Sequence, residues 1–170
     1  MSRTSSLLLF ALFVLLSTAC RREAIKPSDL VFADTQTGCG DFFLYRYSLD
    51  GKTGLVVSGR REALGLHPLQ EKEFTLPVGP DLEVRLDRFN RSQESYYCND
   101  VFDGKDKIIN QYFAVDGKVS IELLEEPQEF GDTYRLHLIL EAIRFEDDSG
   151  REVELDHAQF EAVQVGWLPG

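Results

Sequence analysis

The sequence is poor in the side chains that most often bind metals or carry thiol chemistry. It has 3 Cys and 3 His in 170 residues. These counts exclude a multinuclear metal site, a zinc ribbon and a small domain held together by many disulfides. The sequence also lacks a phosphate-binding loop, a dinucleotide fingerprint and a Gly-x-Ser-x-Gly motif. No cofactor is therefore predicted.

Positively charged residues are scarce as well. The chain has 18 Lys and Arg against 29 Asp and Glu, which gives a formal net charge of -11. An acidic chain of this kind repels the phosphates of nucleic acid, so a nucleic-acid partner is not expected. A basic envelope or extracellular protein is the partner that this charge would attract. Hydrophobic residues make up 43% of the chain, which is enough for one packed domain.

The longest hydrophobic run is short and lies at the N-terminus. Ten apolar residues, 7–16, follow Arg3 and precede a group of small residues, Ser17, Thr18 and Ala19. As a helix the run would span about 15 Å, roughly half of the hydrocarbon core of a bilayer. This pattern is typical of an export signal and does not favour a permanent membrane span.

The end of this segment carries a further motif. Residues 16–20, with the sequence Leu-Ser-Thr-Ala-Cys, resemble the lipobox of bacterial lipoproteins. The resemblance implies that residues 1–19 are a signal peptide, and that a diacylglyceryl group and further acyl chains such as palmitate are attached to Cys20. Arg21 and Arg22 replace the Asp of inner-membrane retention, which implies anchoring in the outer membrane. The alternative is an ordinary secretory signal, cleaved at the same place or a few residues later.

The expected anchor defines the organisation of the mature chain. Cleavage removes one basic residue and no acidic residue, which leaves 17 against 29 and a net charge of -12. Two or more acyl chains hold a protein stably on a bilayer, so the domain needs no membrane-binding surface of its own. We expect a lipidated cysteine with a polar tether over 20–29 and a single β domain over 30–170.

Beyond the tether, apolar and polar residues alternate with the period of β-strands. Strands are predicted at 41–49, 54–59, 72–76, 82–88, 94–98, 108–115, 118–124, 133–146, 151–156 and 159–166. Asp-Gly pairs at 50–51 and 116–117 predict tight hairpins, and residues 145–150 predict a longer one. About eight to ten strands without crossover helices indicate an all-β, antiparallel β-sandwich, with a closed β-barrel as the alternative.

Two cysteines, Cys39 and Cys98, remain after the export signal, and each flanks a predicted strand. In an oxidising compartment they are expected to form a disulfide, which closes a loop of about 60 residues. A redox-active or nucleophilic thiol would need a Cys-x-x-Cys pair or a His partner, and neither is visible nearby. The bridge is therefore interpreted as structural.

Few acidic or basic side chains are candidates for a buried catalytic role. Strand 133–146 carries apolar residues in both phases, which predicts a central strand and a buried position for His137 or Glu141. A separation of four residues along a strand is about 13 Å, so these two side chains cannot share a proton. Each is expected instead to have a local hydrogen-bond partner or to lie beside a bulge.

Metal sites are not predicted. The acidic turns 99–104 and 147–150 are rich in oxygen ligands, but their spacing does not match an EF-hand loop. His67 and His157 have no second ligand at helix or strand spacing.

Three functions are compatible with these features. The leading hypothesis is a lipid-anchored envelope binding or assembly module without catalytic activity. The alternatives are an inhibitor of a basic hydrolase such as lysozyme, and a hydrolase of cell-wall or surface polysaccharide. An inhibitor should project an acidic loop, whereas a hydrolase should bring two carboxylates together in a pocket.

Overall fold

The computed structural model describes residues 24–99, 104–125 and 133–166. Its eight strands form one antiparallel sheet. They are β1 (Phe32–Cys39), β2 (Phe43–Ser48), β3 (Thr53–Gly59), β4 (Glu71–Thr75), β5 (Leu82–Phe89), β6 (Ile108–Leu123), β7 (Tyr134–Asp147) and β8 (Glu152–Val165). The all-β, antiparallel prediction is confirmed. The one-turn helix α1 (Arg61–Leu64) precedes β4, and in the described ranges no helix has the length and apolar character needed to cross a bilayer.

The order of neighbouring strands is β1-β2-β3-β5-β6-β7-β8, and β4 pairs with β6. The sheet curls until β1 and β8, its first and last strands, approach each other. Their contact uses side chains. The Gln36 amide donates to the Glu161 carbonyl at 2.8 Å and accepts from the Glu161 N–H at 2.9 Å. Arg46 donates to the carbonyls of Gln159 on β8 and Ala33 on β1, both at 2.7 Å. The result is a nearly closed barrel.

The interior of the barrel is filled by its own side chains. Inward-facing Leu, Ile and Val residues from β2, β3, β5, β6, β7 and β8 form one buried cluster. The most deeply buried aromatic side chains in this cluster are Tyr112, Tyr134, Phe145 and Phe160. Small barrels are filled in this way, which leaves the outer face and the rims as places for a ligand.

The N-terminal segment packs across one end of the barrel. Ile25 is buried in the core, and its N–H donates to the Tyr112 hydroxyl at 3.3 Å. Residues Pro27–Leu30 form a 3-10 turn that buries Leu30. The sequence predicts a tether over 20–29, whereas the structure packs 24–30 against the barrel because Ile25 and Leu30 gain from burial there. Of that tether, residues 20–23 lie outside the described residues.

Strand β6 continues through the hairpin predicted at 116–117, so that prediction is wrong. The pairing of β6 with β7 shifts twice, once around Val115 and once around Ala142, which has a φ of 50°. These bulges divide β6 into two halves. The first half pairs with β5 and the second with β4. Gly117 is needed because its φ is 121° and an added Cβ would lie 2.8 Å from the Ala142 carbonyl oxygen.

Two other strands, β8 and β1, also differ from the prediction. Strand β8 is continuous where two strands, 151–156 and 159–166, are predicted. The predicted gap at 157–158 is part of the ladder, because Ala158 and His157 pair in register with Leu140 and Glu141 of β7. The strand has its bulge further on, near Ala162, whose φ is 48°. Strand β1 was not predicted, because its sequence, Phe-Ala-Asp-Thr-Gln-Thr-Gly-Cys, has no apolar alternation. The hairpins at 50–51 and 145–150 are confirmed, between β2 and β3 and between β7 and β8.

Candidate binding surface

The predicted disulfide between Cys39 and Cys98 is confirmed, with Cα atoms 6.3 Å apart. Cys98 lies in residues 90–99, here called the covering segment. This segment starts near Gly51, whose carbonyl accepts the Gln93 N–H at 2.8 Å, and runs along the outer face of the sheet to Cys39. The strand predicted at 94–98 is wrong, because these residues pack over the sheet instead of pairing within it.

A cluster of aromatic rings lies between the covering segment and the sheet. Its members are Phe43, Tyr45, Tyr47, Phe89, Tyr96 and Tyr97. The rings of Tyr47 and Tyr97 stack at 5.6 Å with an angle of 14° between their planes. The Tyr47 hydroxyl accepts the backbone N–H groups of Tyr96 at 2.9 Å and Tyr97 at 3.3 Å. Burial raises the pKa of Tyr47 to about 12, against the opposing effect of these two N–H groups.

The covering segment also buries a carboxylate. Asp87 on β5 is fully buried and accepts from the Tyr97 hydroxyl at 2.5 Å, the Gln111 amide at 2.7 Å and the Arg85 guanidinium at 3.1 Å. Burial, followed by the nearby Asp87 charge, raises the pKa of Tyr97 well above its ordinary value. The Tyr97 hydroxyl therefore remains a donor to Asp87. This network fastens the covering segment to the barrel.

A cleft of about 250 Å³ opens between β1 and the covering segment, and we call it the tyrosine cleft. Tyr45 and Tyr47 contribute to its lining. The register of β1 with β2 shifts between Phe32 and Gln36, so the strand is irregular beside the cleft. The cleft is lined by Ala33, Thr35, Thr37, Tyr45, Arg46, Tyr47, Ser48, Leu49, Gly51, Ser92, Gln93 and Glu94.

A larger depression, of about 570 Å³, follows the outer face of β6, and we call it the β6 groove. Phe113 and Ile109 expose 43% and 36% of their surfaces. Glu146 stands directly across from Phe113 in the pairing of β6 with β7. The groove is lined by Ile108, Ile109, Asn110, Gln111, Phe113, Val115, Glu146, Asp147 and Asp148. It therefore combines exposed apolar side chains with carboxylates.

One of these carboxylates, that of Asp147, is held by hydrogen bonds within the fold. Asp147 is buried and accepts from Asn110 at 2.9 Å, Ser149 at 2.8 Å and Arg151 at 2.7 Å. Burial acts to raise the pKa of Asp147, but these hydrogen bonds outweigh it and hold the pKa well below its ordinary value. Asp147 therefore shapes the β7–β8 hairpin at neutral pH and is not free to bind a cation.

Metal-binding geometry is absent from the described ranges, where no three His, Cys, Asp or Glu side chains are grouped as ligands. The second acidic turn considered above, 99–104, lies partly outside these ranges. His67 and His157 are both exposed. Neither is brought together with a set of further ligands.

His137 and Glu141 lie on β7, which is a central strand, as predicted. The prediction of a buried Glu141 is wrong, because Glu141 is exposed and stands opposite Lys118 and His157. His137 is partly buried opposite Glu122, and its buried Nε2 atom has no hydrogen-bond partner among the residues that the structure describes. The structure therefore does not bring the two side chains together in one site.

Comparison with known proteins gives no further assignment. No protein-family model matches the chain, and no significant match is found among curated proteins or solved structures. The functional inference therefore depends on the geometry of the chain's own residues.

Proposed function

We propose that the protein is a lipid-anchored binding module of the bacterial envelope, without catalytic activity, that holds a basic protein partner in the β6 groove. The observation that carries this proposal is the exposed pair Phe113 and Ile109 beside the carboxylate of Glu146. Because side chains fill the barrel interior, the outer face is the surface left for recognition.

Apolar side chains of this kind are suited to be binding anchors. Large aromatic residues that become buried on association contribute more to affinity than most residues in an interface. Phe113 is held by the pairing of β6 with both β5 and β7, so a partner would meet a preformed surface. Binding to a preformed surface avoids part of the entropy loss of ordering a loop.

The charges around the groove favour a basic partner. Glu146 makes no ion pair among the described residues, whereas Arg85 on the other side of Phe113 is already paired with Glu83 and Asp87. With a net charge of -12 on the mature chain, attraction to a basic protein would increase the association rate. This attraction weakens as ionic strength rises. At physiological salt, charges are screened from each other over a length of about 8 Å.

The anchor would also orient the groove. Three residues separate Cys20 from Ala24, so the Cα atom of a lipidated Cys20 would lie within about 14 Å of the Cα atom of Ala24. The barrel end covered by 24–30 would then face the bilayer. The β6 groove lies near that end, because Asn110 in its lining pairs with Arg88, which forms an ion pair with Asp29 of the N-terminal segment. A neighbouring envelope protein would reach the groove on the outer face of the barrel.

The two alternative functions, inhibitor and hydrolase, require different surface features. An inhibitor of a basic hydrolase would bind its target through the same negative charges. A lysozyme assay with and without the protein distinguishes an inhibitor from an assembly module. A hydrolase needs converging carboxylates, and its first candidate, Glu141, is exposed between Lys118 and His157. Turnover of a glycan that is lost in Glu141→Gln would favour the enzyme.

The lipid anchor is tested at Cys20. We expect Cys20→Ala to leave the membrane fraction or to remain unprocessed, because the acyl chains supply the membrane affinity. Mass spectrometry of the native protein should show an N-terminal Cys20 peptide carrying acyl chains. Ser28→Ala, at an exposed residue that leaves the disulfide intact, is the control and should stay on the membrane. An unmodified N-terminus on a fully soluble native protein contradicts the anchor.

The β6 groove is tested by site-specific photo-crosslinking in the native membrane. A benzophenone side chain at position 113 is expected to crosslink one basic protein, and the same group at exposed position 69, which does not line the groove, is not. Phe113→Ala should then weaken binding of the isolated partner by about tenfold or more, as for an interface anchor. Equal crosslinking at both positions, or an acidic partner, would count against the proposal.

A further inference from the structure

We propose that the tyrosine cleft binds one neutral pyranose ring of an envelope glycan. This proposal is independent of the proposed function, because the tyrosine cleft and the β6 groove have no lining residue in common. It concerns a small-molecule subsite, whereas the groove concerns a protein partner.

The aromatic part of the cleft is rigid, with Tyr45 buried and Tyr47 half-buried. Tyr45 and Tyr47 meet edge to face with ring centroids 5.6 Å apart, and Tyr45 packs on Tyr97 at 5.0 Å. The Tyr47 hydroxyl is held by the Tyr96 N–H. A pyranose has one face of C–H groups, and a tyrosine ring offers an apolar surface with a polar tip to match it. Since the rings are already fixed, little entropy is lost when a sugar binds.

The remaining walls carry hydroxyl groups. Thr35 and Thr37 stand on β1 on one side, and Ser92 belongs to the covering segment on the other side. None of these hydroxyls has a hydrogen-bond partner among the described residues. A hydroxyl can both donate and accept, which suits the hydroxyl groups around a sugar ring. Two opposite walls of this kind can hold the edges of the ring while Tyr47, the more exposed of the two tyrosines, contacts its face.

The charges of the cleft argue against an anionic ligand. Arg46 is the one cation that lines it, and its guanidinium already donates to the carbonyls of Ala33 and Gln159. The same guanidinium carbon lies 5.9 Å from the centre of the Phe160 ring. Glu94 is an exposed carboxylate at the cleft. A phosphate or an acidic sugar would therefore meet a carboxylate and no free cation, whereas a neutral sugar would meet hydrogen-bonding groups.

The size of the cleft limits the ligand to a small one. Its volume of about 250 Å³ lies below the roughly 300–1,000 Å³ of pockets that hold drug-sized ligands. One ring fits this space better than an oligosaccharide does. The rest of a glycan chain would extend from the open side into solvent.

The test is a titration of the full-length protein with single sugars. The protein is purified in a detergent without a sugar headgroup, and glucose and N-acetylglucosamine are added separately while amide NMR shifts are recorded. We expect saturable shifts at Thr35, Thr37 and Glu94, with a dissociation constant of about millimolar order for a ligand this small. Binding of N-acetylglucosamine alone would assign an amino-sugar polymer as the source, and binding of both would assign a general hexose site.

Three variants separate the cleft from a non-specific effect. Thr35→Val and Thr37→Val keep the side-chain shape, and each should weaken binding about three- to tenfold by removing one hydrogen bond. Thr75→Val, at an exposed threonine of β4, is the matched control and should bind as the native protein does. Circular dichroism melting confirms that all three remain folded. The proposal is overturned if neither sugar gives a saturable shift, or if Thr35→Val and Thr37→Val bind as tightly as Thr75→Val.

Discussion

Replacement of Gly117 by alanine is expected to lower the free energy of unfolding by about 3–5 kcal/mol. Two costs combine at this position. The φ of 121° is unfavourable for a residue with a side chain, and the new Cβ would lie 2.6 Å from the Ile143 Cδ1 and 2.8 Å from the Ala142 carbonyl oxygen. The carbonyl belongs to a bulge and cannot move away without breaking the pairing of β6 with β7. Urea denaturation followed by circular dichroism measures the loss.

Gly79→Ala is the control for this prediction. Gly79 also has a positive φ, of 97°, but an added Cβ there meets nothing within 4 Å. Its cost should therefore be limited to the backbone conformation, about 1–3 kcal/mol. If the two variants lose the same stability, Gly117 is not in close contact with β7 and the double bulge is incorrectly placed.

Removal of the disulfide should have the second large effect. The double substitution of Cys39 and Cys98 by serine opens a loop whose ends are 59 residues apart, and is expected to cost about 4 kcal/mol from the chain entropy of the unfolded state. The folded state should change locally as well, because the bridge holds one end of the covering segment. Denaturation midpoints of the full-length protein give the global loss.

Hydrogen exchange separates the local effect from the global one. The N–H groups of Tyr96 and Tyr97 are bonded to the Tyr47 hydroxyl, so their exchange should accelerate more than that of Leu138 in the centre of β7. Cys20→Ala retains the bridge and serves as the cysteine control. Unchanged midpoints in the serine double variant would show that the bridge contributes nothing to stability.

The sequence predicts the strands whose apolar residues alternate regularly. Strand β5 is an example, with Leu82, Val84 and Leu86 all turned into the core. The disulfide is likewise predictable, since Cys39 and Cys98 are the only cysteines besides Cys20. The hairpin at 50–51 follows from Asp-Gly chemistry between two clear alternations.

Bulges limit the prediction elsewhere. On β7, Leu140 and Ile143 both face the core because Ala142 adds a residue to the strand, and this places apolar residues in both phases. Without the structure, the same pattern indicates a strand that is buried on both faces. This is why the sequence wrongly predicts a buried Glu141. At 116–117 the Asp-Gly pair is part of a bulge within a continuous strand. No local signal in the sequence distinguishes such a bulge from a hairpin turn.

The candidate surface depends on contacts between distant parts of the chain. Asp87 alternates with apolar residues as an exposed residue would, but the covering segment buries it under Tyr97. The one signal in the sequence is the start of strand β2, where Phe42 and Leu44 alternate with Phe43 and Tyr45 and make both faces apolar. A strand with two apolar faces needs a second covering layer, although the sequence does not show which segment supplies it.

The side-chain closure between β1 and β8 has a consequence for association. The exposed edge of a sheet offers unpaired N–H and C=O groups, and a second copy of the chain can add a strand there and start aggregation. On β8 the Gln36 amide occupies both backbone groups of Glu161, and Arg46 occupies the carbonyl of Gln159. An incoming strand would have to displace these side chains first. These side chains thus protect the adjacent edges of β1 and β8 without a complete ladder of backbone hydrogen bonds.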